Sequence, residues 1–347
     1  MRWSVQTVHH DLWDNDLPAQ PVLVDVPTAS GPVPAVIQGT KQGDIFILDR
    51  RSGTPIVPVT EHAVPTFSNI GERLSPTQPA SALSVKPTAS PLTEAMMWGT
   101  TPIDQMWCRI QFRSARYEGP YTPPDRLRTV IEYPSMFGGI EWGGITVDPE
   151  RNILITNANA MPFLIRMRQV SATADSTIAS VPLPAEHVSV PTGFSVIKGT
   201  GYALSYGAFM SPLGIPCTQP PWGKLYAIDL RTHKILWERP VGTARDSGPL
   251  GIASHLPLLI GTPQVGGSIV TRGGLIFVGA TADNYLRAYD VGSGKNLWSA
   301  RLPAGGQATP MTYLGRDGKQ YVLIAAGGSS DFGTGSSDGF IAYRLKS

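Results

Sequence analysis

The sequence predicts an all-β protein built from recurring hairpins, and three observations support this fold class. The chain of 347 residues contains 37 Gly and 32 Pro, which leaves little room for long helices and suits short strands joined by turns. A hairpin motif recurs three times at long intervals. Further short apolar segments fit between its copies. Such recurrence is typical of a β-propeller, whose blades have four strands each, and about four blades can be counted.

Each copy of the hairpin motif consists of a turn, a short apolar strand, an Asp, a polar turn and a second strand. The copies lie at residues 41–53, 222–237 and 283–298. An Asp at the end of a strand can hydrogen-bond to the backbone of the following turn, and an aromatic residue favours the return strand. The last two copies have a Trp at this return position, whereas the first has Val57. The first copy is therefore a degenerate version of the motif.

The remaining elements follow from local composition. Seven more strands are predicted, at residues 33–38, 144–147, 153–156, 268–270, 275–278, 321–325 and 340–343, with tight turns at Gly273-Gly274 and Asp317-Gly318. Proline recurs throughout residues 60–135, which predicts a long excursion from one blade, with a short helix near residues 92–98. Residues 170–220, rich in Ser, Thr and Pro, predict a second excursion. Long loops in a compact domain are often functional covers, and a plain surface insertion is the alternative.

Composition and charge narrow the function classes. The net charge is +2, charged residues make up 16% and no run of Lys and Arg is present, which argues against nucleic-acid binding. We expect no membrane span, because there is no apolar run of about 18 residues, and no signal peptide, because residues 1–6 do not lead into an apolar segment. The two cysteines, Cys108 and Cys217, form either one disulfide or two buried thiols.

The segment at residues 7–18 has a high density of side chains that could take part in chemistry: two His, three Asp and a Trp. Asp14 follows the Trp and is a candidate general base, the alternative being an Asp that caps a turn. Lys41 opens the first hairpin and is either a ligand contact or a solvated turn lysine. Asn157 follows a buried-strand pattern, where polar groups gather at the central channel of a propeller, or it belongs to a turn. The glycine-rich segment at residues 302–310 is a further candidate for ligand contact.

Six motifs of the sequence are informative in combination. They are His9-His10-Asp11-Leu12-Trp13-Asp14, Lys41 with Phe46-Ile47-Leu48-Asp49-Arg50-Arg51, Ser75-Pro76-Thr77-Gln78-Pro79, Arg116-Tyr117-Glu118-Gly119, Glu141-Trp142-Gly143-Gly144 and Ala280-Thr281-Ala282-Asp283-Asn284-Tyr285. In this combination they resemble the membrane-bound quinoprotein glucose/quinate/shikimate dehydrogenases. The resemblance runs from about residue 3 to residue 343.

The resemblance implies a fold, a reaction and roles for three residues. It implies an eight-bladed propeller that holds pyrroloquinoline quinone (PQQ) and a divalent cation, Ca²⁺ or Mg²⁺, near its axis. A secondary alcohol of glucose, quinate or shikimate would be oxidised by hydride transfer to PQQ, and electrons would pass to ubiquinone at the periplasmic face of the inner membrane. Asp14 matches the base that takes the hydroxyl proton, Lys41 the lysine that contacts PQQ, and Asn157 an asparagine beside the cofactor.

The resemblance also implies that residues 1–347 correspond to the C-terminal half of such an enzyme. The membrane anchor and the metal ligands would lie in the half that precedes the histidine-rich motif, so no metal ligand is assigned here. The chain would then act with a separate N-terminal half, or it would be a non-catalytic propeller piece with a binding or structural role. Three arginines in the first excursion, Arg109, Arg113 and Arg116, are candidates for binding the carboxylate of quinate or shikimate, or are surface charges.

Overall fold

The computed structural model describes residues 1–86, 91–170, 177–178 and 194–345. Part of the predicted second excursion therefore lies outside the described residues. In chain order the strands are β1 Val22–Thr28, β2 Gly31–Gly39, β3 Ile45–Asp49, β4 Val59–Ala63, β5 Thr77–Ser81, β6 Val130–Glu132, β7 Ile145–Asp148, β8 Ile153–Asn159, β9 Phe163–Gln169, β10 Thr177–Ile178, β11 Phe194–Ile197, β12 Tyr202–Ala208, β13 Gly223–Asp229, β14 Lys234–Pro240, β15 Ser268–Val270, β16 Leu275–Val278, β17 Tyr285–Asp290, β18 Asn296–Arg301, β19 Met311–Leu314, β20 Gln320–Gly328 and β21 Ser336–Arg344.

The described residues contain one α-helix, α1 Pro102–Ser114, and four short 3₁₀ turns. The turns lie at Glu94–Met96, Ala244–Asp246, Pro249–Gly251 and Ser330–Phe332. The predicted short helix near residues 92–98 is thus a single 3₁₀ turn. The longer helix α1 was not predicted, and it corrects the expectation from Gly and Pro content. It begins at Thr101, whose side chain accepts a hydrogen bond from the Asp104 N–H, with Pro102 in its first turn, as expected for a capped helix start.

Four antiparallel sheets follow one another along the chain and form the blades. Their strand orders are β1-β2-β3, β7-β8-β13-β14, β15-β16-β17-β18 and β19-β20-β21. This arrangement confirms the predicted β-propeller class and the count of about four blades. The hairpins β13-β14 and β17-β18 coincide with the second and third copies of the sequence motif. The degenerate first copy has only an isolated bridge between Leu48 and Pro55 after β3.

Strand β8 shows how the blades stack. All seven of its residues are buried, because successive side chains point to opposite faces and each face meets another blade. Leu154 packs into the core shared with the first blade, whereas Ile155 packs with Ile276 of the third blade. Leu286 and Ile324 join the third and fourth blades in the same way. Each such side chain contributes about 1.5 to 3 kcal/mol when fully buried.

Two further sheets, built largely from the excursions, are separate from the blades. Strands β4 and β5 pair as a hairpin, and β6, β9, β12, β11 and β10 form a separate sheet. A disulfide joins Cys108 of α1 to Cys217, which settles the alternatives for the two cysteines. Because Cys108 and Cys217 lie in different excursions, this bond ties the two excursions together around a common apolar core.

Candidate active site

The histidine loop, residues 7–18, is fixed by hydrogen bonds to the first excursion. The Gln78 side chain accepts from the His9 backbone N–H at 2.7 Å and donates to the His9 carbonyl oxygen at 2.7 Å. The His9 imidazole Nε2 lies 2.9 Å from Glu61 Oε1. His9 therefore holds the loop on the β4-β5 hairpin and leaves the centre of the loop to its acidic residues.

Trp13 anchors the middle of the histidine loop. Its side chain is buried, donates from Nε1 to the Thr122 carbonyl oxygen at 2.8 Å, and lies edge-on to Tyr121 with ring centroids 5.1 Å apart. The next residue, Asp14, has a left-handed backbone with φ of 57°, which few residues other than Gly adopt. This backbone turn leaves the Asp14 side chain 63% exposed beside a buried neighbour.

Lys41 and Asp14 meet directly, although 27 positions separate them. Lys41 Nζ donates to Asp14 Oδ2 at 2.9 Å and to the Asp14 carbonyl oxygen at 2.8 Å, and it lies 2.5 Å from Asp16 Oδ1. Burial alone would lower the pKa of Lys41, but the hydrogen bonds to Asp16 and Asp14 outweigh it and raise the pKa. The buried lysine is therefore a cation in contact with two exposed carboxylates and one backbone carbonyl oxygen.

Residues 135–144 pack against the backbone of Lys41 and fix the position of this lysine. Gly139 donates from its backbone N–H to the Lys41 carbonyl oxygen, and Ile140 N donates to the Thr40 carbonyl oxygen at 3.2 Å. Gly138 has a left-handed φ of 60°, and a Cβ added there would lie 2.9 Å from the Cα, Cβ and Cγ atoms of Lys41. Only glycine combines this backbone conformation with such a close approach.

Two buried carboxyl groups, Glu141 and Glu132, interact electrostatically with Asp14 and Lys41. Burial raises the pKa of Glu141 to about 7, against the opposing effect of Lys41. Burial also raises the pKa of Glu132 well above its usual range, with the charges of Asp14 and Asp11 acting in the same direction. Glu141 belongs to a motif that the sequence singled out. Glu132 was missed, and the available signal was a carboxylate at the end of an apolar strand.

A cavity of about 240 Å³ opens beside Asp14. Its walls are mainly apolar and come from the histidine loop and both excursions. The lining includes Leu12, Trp13, Asp14, Ile70, Glu72, Thr122, Glu132, Met136, Ile165, Met167 and Tyr202. A mostly apolar concave site with a few polar groups is the usual form of a small-molecule site, so the loop chemistry and a binding volume coincide.

Asn157 is the third residue to which the resemblance gives a role. It is buried on β8, and its Nδ2 donates to the Gly266 carbonyl oxygen at 3.0 Å, so it is hydrogen-bonded to neither Asp14 nor Lys41 in the part of the chain that the structure describes. Two residues further, Asn159 makes paired bonds with the backbone of Gln264. These two asparagines fix the segment before β15 against the second blade.

The glycine-rich segment at residues 302–310 packs against the same region. The Gln307 side-chain oxygen lies 3.4 Å from the Val265 N–H. Its buried Nε2 has no hydrogen-bond partner among the described residues. A buried donor of this kind needs a partner, so this loop remains a candidate for ligand contact.

The three arginines of the first excursion are engaged in other ion pairs. Arg109 and Arg113 both lie at Glu94, at 2.8 and 3.5 Å. Arg116 is buried and pairs with two carboxylates of its own excursion. None of these three side chains lines the cavity beside Asp14, and the structure gives no support to a role for them in binding a substrate carboxylate there.

Two structural features are absent from the described residues. No helix there is long and apolar enough to cross a membrane. Over the same residues, no group of three or more His, Cys, Asp or Glu side chains is placed to hold a metal ion.

Stacked antiparallel blades with a ligand-sized cavity at their loops define a β-propeller protein. Residues 1–322 match the family described as PQQ glucose/ethanol/alcohol dehydrogenase, beta-propeller domain. The chain belongs to this family of PQQ dehydrogenase propellers, which confirms the resemblance inferred from its motifs.

Curated relatives match almost the whole chain. It is 45% identical over 345 residues to the quinoprotein glucose dehydrogenase of Escherichia coli, covering 99% of this chain and 43% of that protein. It is also 45% identical to the probable quinate dehydrogenase (quinone) of Xanthomonas campestris, with the same two coverages. The chain therefore spans less than half the length of these relatives.

Solved structures agree on the fold. The quinohemoprotein alcohol dehydrogenase from Comamonas testosteroni superposes with a TM-score of 0.54 at 21% identity, covering 93% of this chain and 36% of that one. A europium-containing methanol dehydrogenase superposes with a TM-score of 0.52 at 20% identity. At this level of identity the likeness concerns the propeller fold alone.

Proposed function

We propose that this chain supplies the proton-accepting side of a PQQ-dependent dehydrogenase that oxidises a secondary alcohol of glucose, quinate or shikimate. The observation that carries the proposal is the contact at 2.9 Å between Asp14 and the buried Lys41, at the edge of the cavity. It places a carboxylate next to a cation in a site that a small molecule can enter. The two curated relatives are named as glucose and quinate dehydrogenases, so the family offers both kinds of substrate.

In this proposal Asp14 is the general base. Its carboxylate lines the cavity and remains 63% exposed, so a substrate hydroxyl can approach it. A positioned carboxylate within hydrogen-bond reach of the hydroxyl accepts its proton as the C–H bond breaks. Lys41 Nζ donates a hydrogen bond to Asp14 Oδ2 at 2.9 Å, which holds the carboxylate in position at the cavity.

The residues around Lys41 fit a quinone cofactor. PQQ, when bound, accepts the hydride of the substrate at its quinone. A quinone oxygen accepts hydrogen bonds, and the Lys41 ammonium has three donors, one of which is directed at the exposed Asp16 carboxylate. A cofactor oxygen can take the place of Asp16, and the positive charge of Lys41 would stabilise negative charge on it. Asn157 is proposed to lie beside the cofactor, where its bond to Gly266 fixes its orientation.

The remaining parts of the proposal concern groups outside this chain. We place the ligands of the Ca²⁺ or Mg²⁺ ion in the part of the enzyme that the curated relatives contain in addition to this region. Ubiquinone is the proposed electron acceptor, and the proposed location is the periplasmic face of the inner membrane. The disulfide between Cys108 and Cys217 supports that location, because disulfides persist in oxidising compartments such as the periplasm.

Dye reduction tests the proposal. The purified chain is mixed with PQQ and Ca²⁺, with and without a polypeptide that corresponds to the preceding region of the Escherichia coli relative. Glucose, quinate and shikimate are then offered in turn. We expect reduction when the two polypeptides are combined. Absence of reduction in both mixtures, with all three substrates and with PQQ bound, would favour a non-catalytic propeller piece.

Asp14→Asn and Asp16→Asn form a matched pair of variants, since both residues are exposed acids at Lys41. Asp14→Asn is expected to lower kcat by about 10²- to 10⁴-fold, the usual contribution of a general base. Asp16→Asn is expected to retain most of the activity. Equal losses in the two variants would argue that Asp14 acts only through the charge of Lys41.

A further inference from the structure

Glu132 occupies an unusual place between two cavities. It ends strand β6 and is only 6% exposed. On one side it lines the cavity of about 240 Å³ that also contains Asp14. On the other side it lines a small cavity of about 20 Å³, together with Gln42 and Lys86. Glu132 is the carboxyl group common to both spaces.

The bonding of Glu132 is incomplete for a buried carboxyl group. Its Oε2 accepts one hydrogen bond, from the Met136 N–H at 3.2 Å, and its Oε1 has no partner among the described residues. Burial disfavours the charged form of such a group, and the nearby carboxylates Asp14 and Asp11 add to this effect, while Lys41 opposes it. Such surroundings favour the neutral carboxylic acid over the carboxylate.

The small cavity beside Glu132 contains a second polar group without a hydrogen-bond partner among the described residues. The Nε2 atom of Gln42 is buried and also lacks a partner in the described part of the chain. A space of this size holds about one water molecule, and an isolated water needs two or more polar partners. Glu132 and Gln42 both line this cavity and provide them. Lys86 lines it as well, and its side chain is 32% exposed.

We propose that Glu132 is a proton-relay residue, which carries the proton taken up by Asp14 out of the active-site cavity and into the small cavity beside Gln42. This role rests on the proposed function of Asp14. The substrate O–H bond breaks and its proton bonds to the Asp14 carboxylate. That proton then passes, through water in the larger cavity, to one oxygen of Glu132, while the other oxygen of Glu132 gives its own proton to the water molecule in the small cavity, which hands a proton on to the solvent. Asp14 is left ionised for the next turnover.

Infrared spectroscopy of the chain tests the starting state without any need for turnover. The relay requires a protonated Glu132 at pH 7, which gives the carbonyl stretch of a carboxylic acid. The difference spectrum between the wild type and Glu132→Gln is expected to contain this band. A difference spectrum that shows only an ionised carboxylate would overturn the proposal, whatever the result of the activity assays.

Steady-state kinetics in the assembled enzyme test the relay itself. Glu132→Gln is expected to lower kcat by about a hundredfold, the low end for a positioned proton-transfer group, with KM within about threefold of the wild type. The solvent deuterium isotope effect on kcat is expected to rise, because proton release becomes slow. Glu132→Asp should recover part of the lost rate, since it keeps a carboxyl group.

Asp104→Asn provides the control, because Asp104 is a buried carboxyl with one unpartnered oxygen that borders neither cavity. It is expected to leave kcat and its isotope effect unchanged. If Glu132→Gln retains the wild-type kcat and isotope effect while Asp14→Asn is inactive, the relay is wrong and the proposed function stands. If Asp14→Asn is fully active, the proposed function itself fails.

Discussion

Replacing Gly138 by Ala is expected to disturb the active site through the backbone of Lys41. The left-handed backbone at Gly138 costs an L-residue about 1 to 2 kcal/mol. The new Cβ would also lie 2.9 Å from three carbon atoms of Lys41, and the resulting overpacking typically costs about 1 to 3 kcal/mol. We therefore expect the free energy of unfolding to fall by about 2 to 5 kcal/mol, with Lys41 displaced from Asp14.

Urea denaturation measures this loss, and Gly318→Ala is its matched control. Gly318 has a left-handed φ of 71°, but an added Cβ there meets no atom within 4 Å. The control should therefore lose only the backbone contribution, about 1 to 2 kcal/mol. In the assembled enzyme, Gly138→Ala should also lose activity while Gly318→Ala does not. Equal losses of stability in the two variants would refute the reasoning, because the clash with Lys41 would then contribute nothing.

Three further predictions can be tested by standard assays. Asp14→Asn should lower turnover by about the 10²- to 10⁴-fold typical of a lost general base while PQQ still binds, measured by dye reduction and by cofactor retention, and full turnover would exclude Asp14 as the base. Replacing Cys108 and Cys217 by Ser should lower the free energy of unfolding by about 4 to 5 kcal/mol, because the bond closes a loop across 109 positions, and an unchanged urea midpoint would contradict this. Because burial raises the pKa of Glu141 from 4.5 to about 7, its contribution to stability should be present below pH 4.5 and lost as the pH rises through 7. Glu141→Gln should remove that part of the pH dependence in urea titrations between pH 4 and 8, and an identical dependence in both proteins would show that the group is not buried.

The blades could be predicted from sequence because their signals are local. Each strand, its closing Asp and its turn lie within about 15 residues, and side-chain alternation then assigns the two faces. Strands β15 and β16 were predicted with the observed bounds. Asp14 and Lys41 were candidates from their local sequence, the family resemblance gave them roles, and the structure brings them into direct contact. Their roles as base and cofactor contact stay predictions.

Helix α1 could not be predicted because the usual pattern of buried apolar and exposed polar residues is reversed in part of it. Its apolar residues Ile103 and Met106 are 75% and 55% exposed, whereas the polar residues Asp104 and Gln111 are buried. The usual apolar stripe that marks a helix against a core therefore points outwards. The helix is held by its Thr101 cap, by the disulfide through Cys108 and by the packing of Trp107 and Phe112 against the core of the excursions.

The rest of the site depends on contacts between segments that are distant in sequence. Trp13 is fixed by Thr122, 109 positions away. Glu132 is buried by segments of the excursions, although the alternation of side chains along its strand would by itself leave one face exposed to solvent. Ile165 of β9 and Tyr202 of the second excursion complete the cavity. The excursions lack the repeat that identifies the blades, so their packing is not readable from a single sequence. Since they build the walls around Asp14 and carry Glu132, substitutions in them should change substrate choice and proton release more than substitutions within the blades.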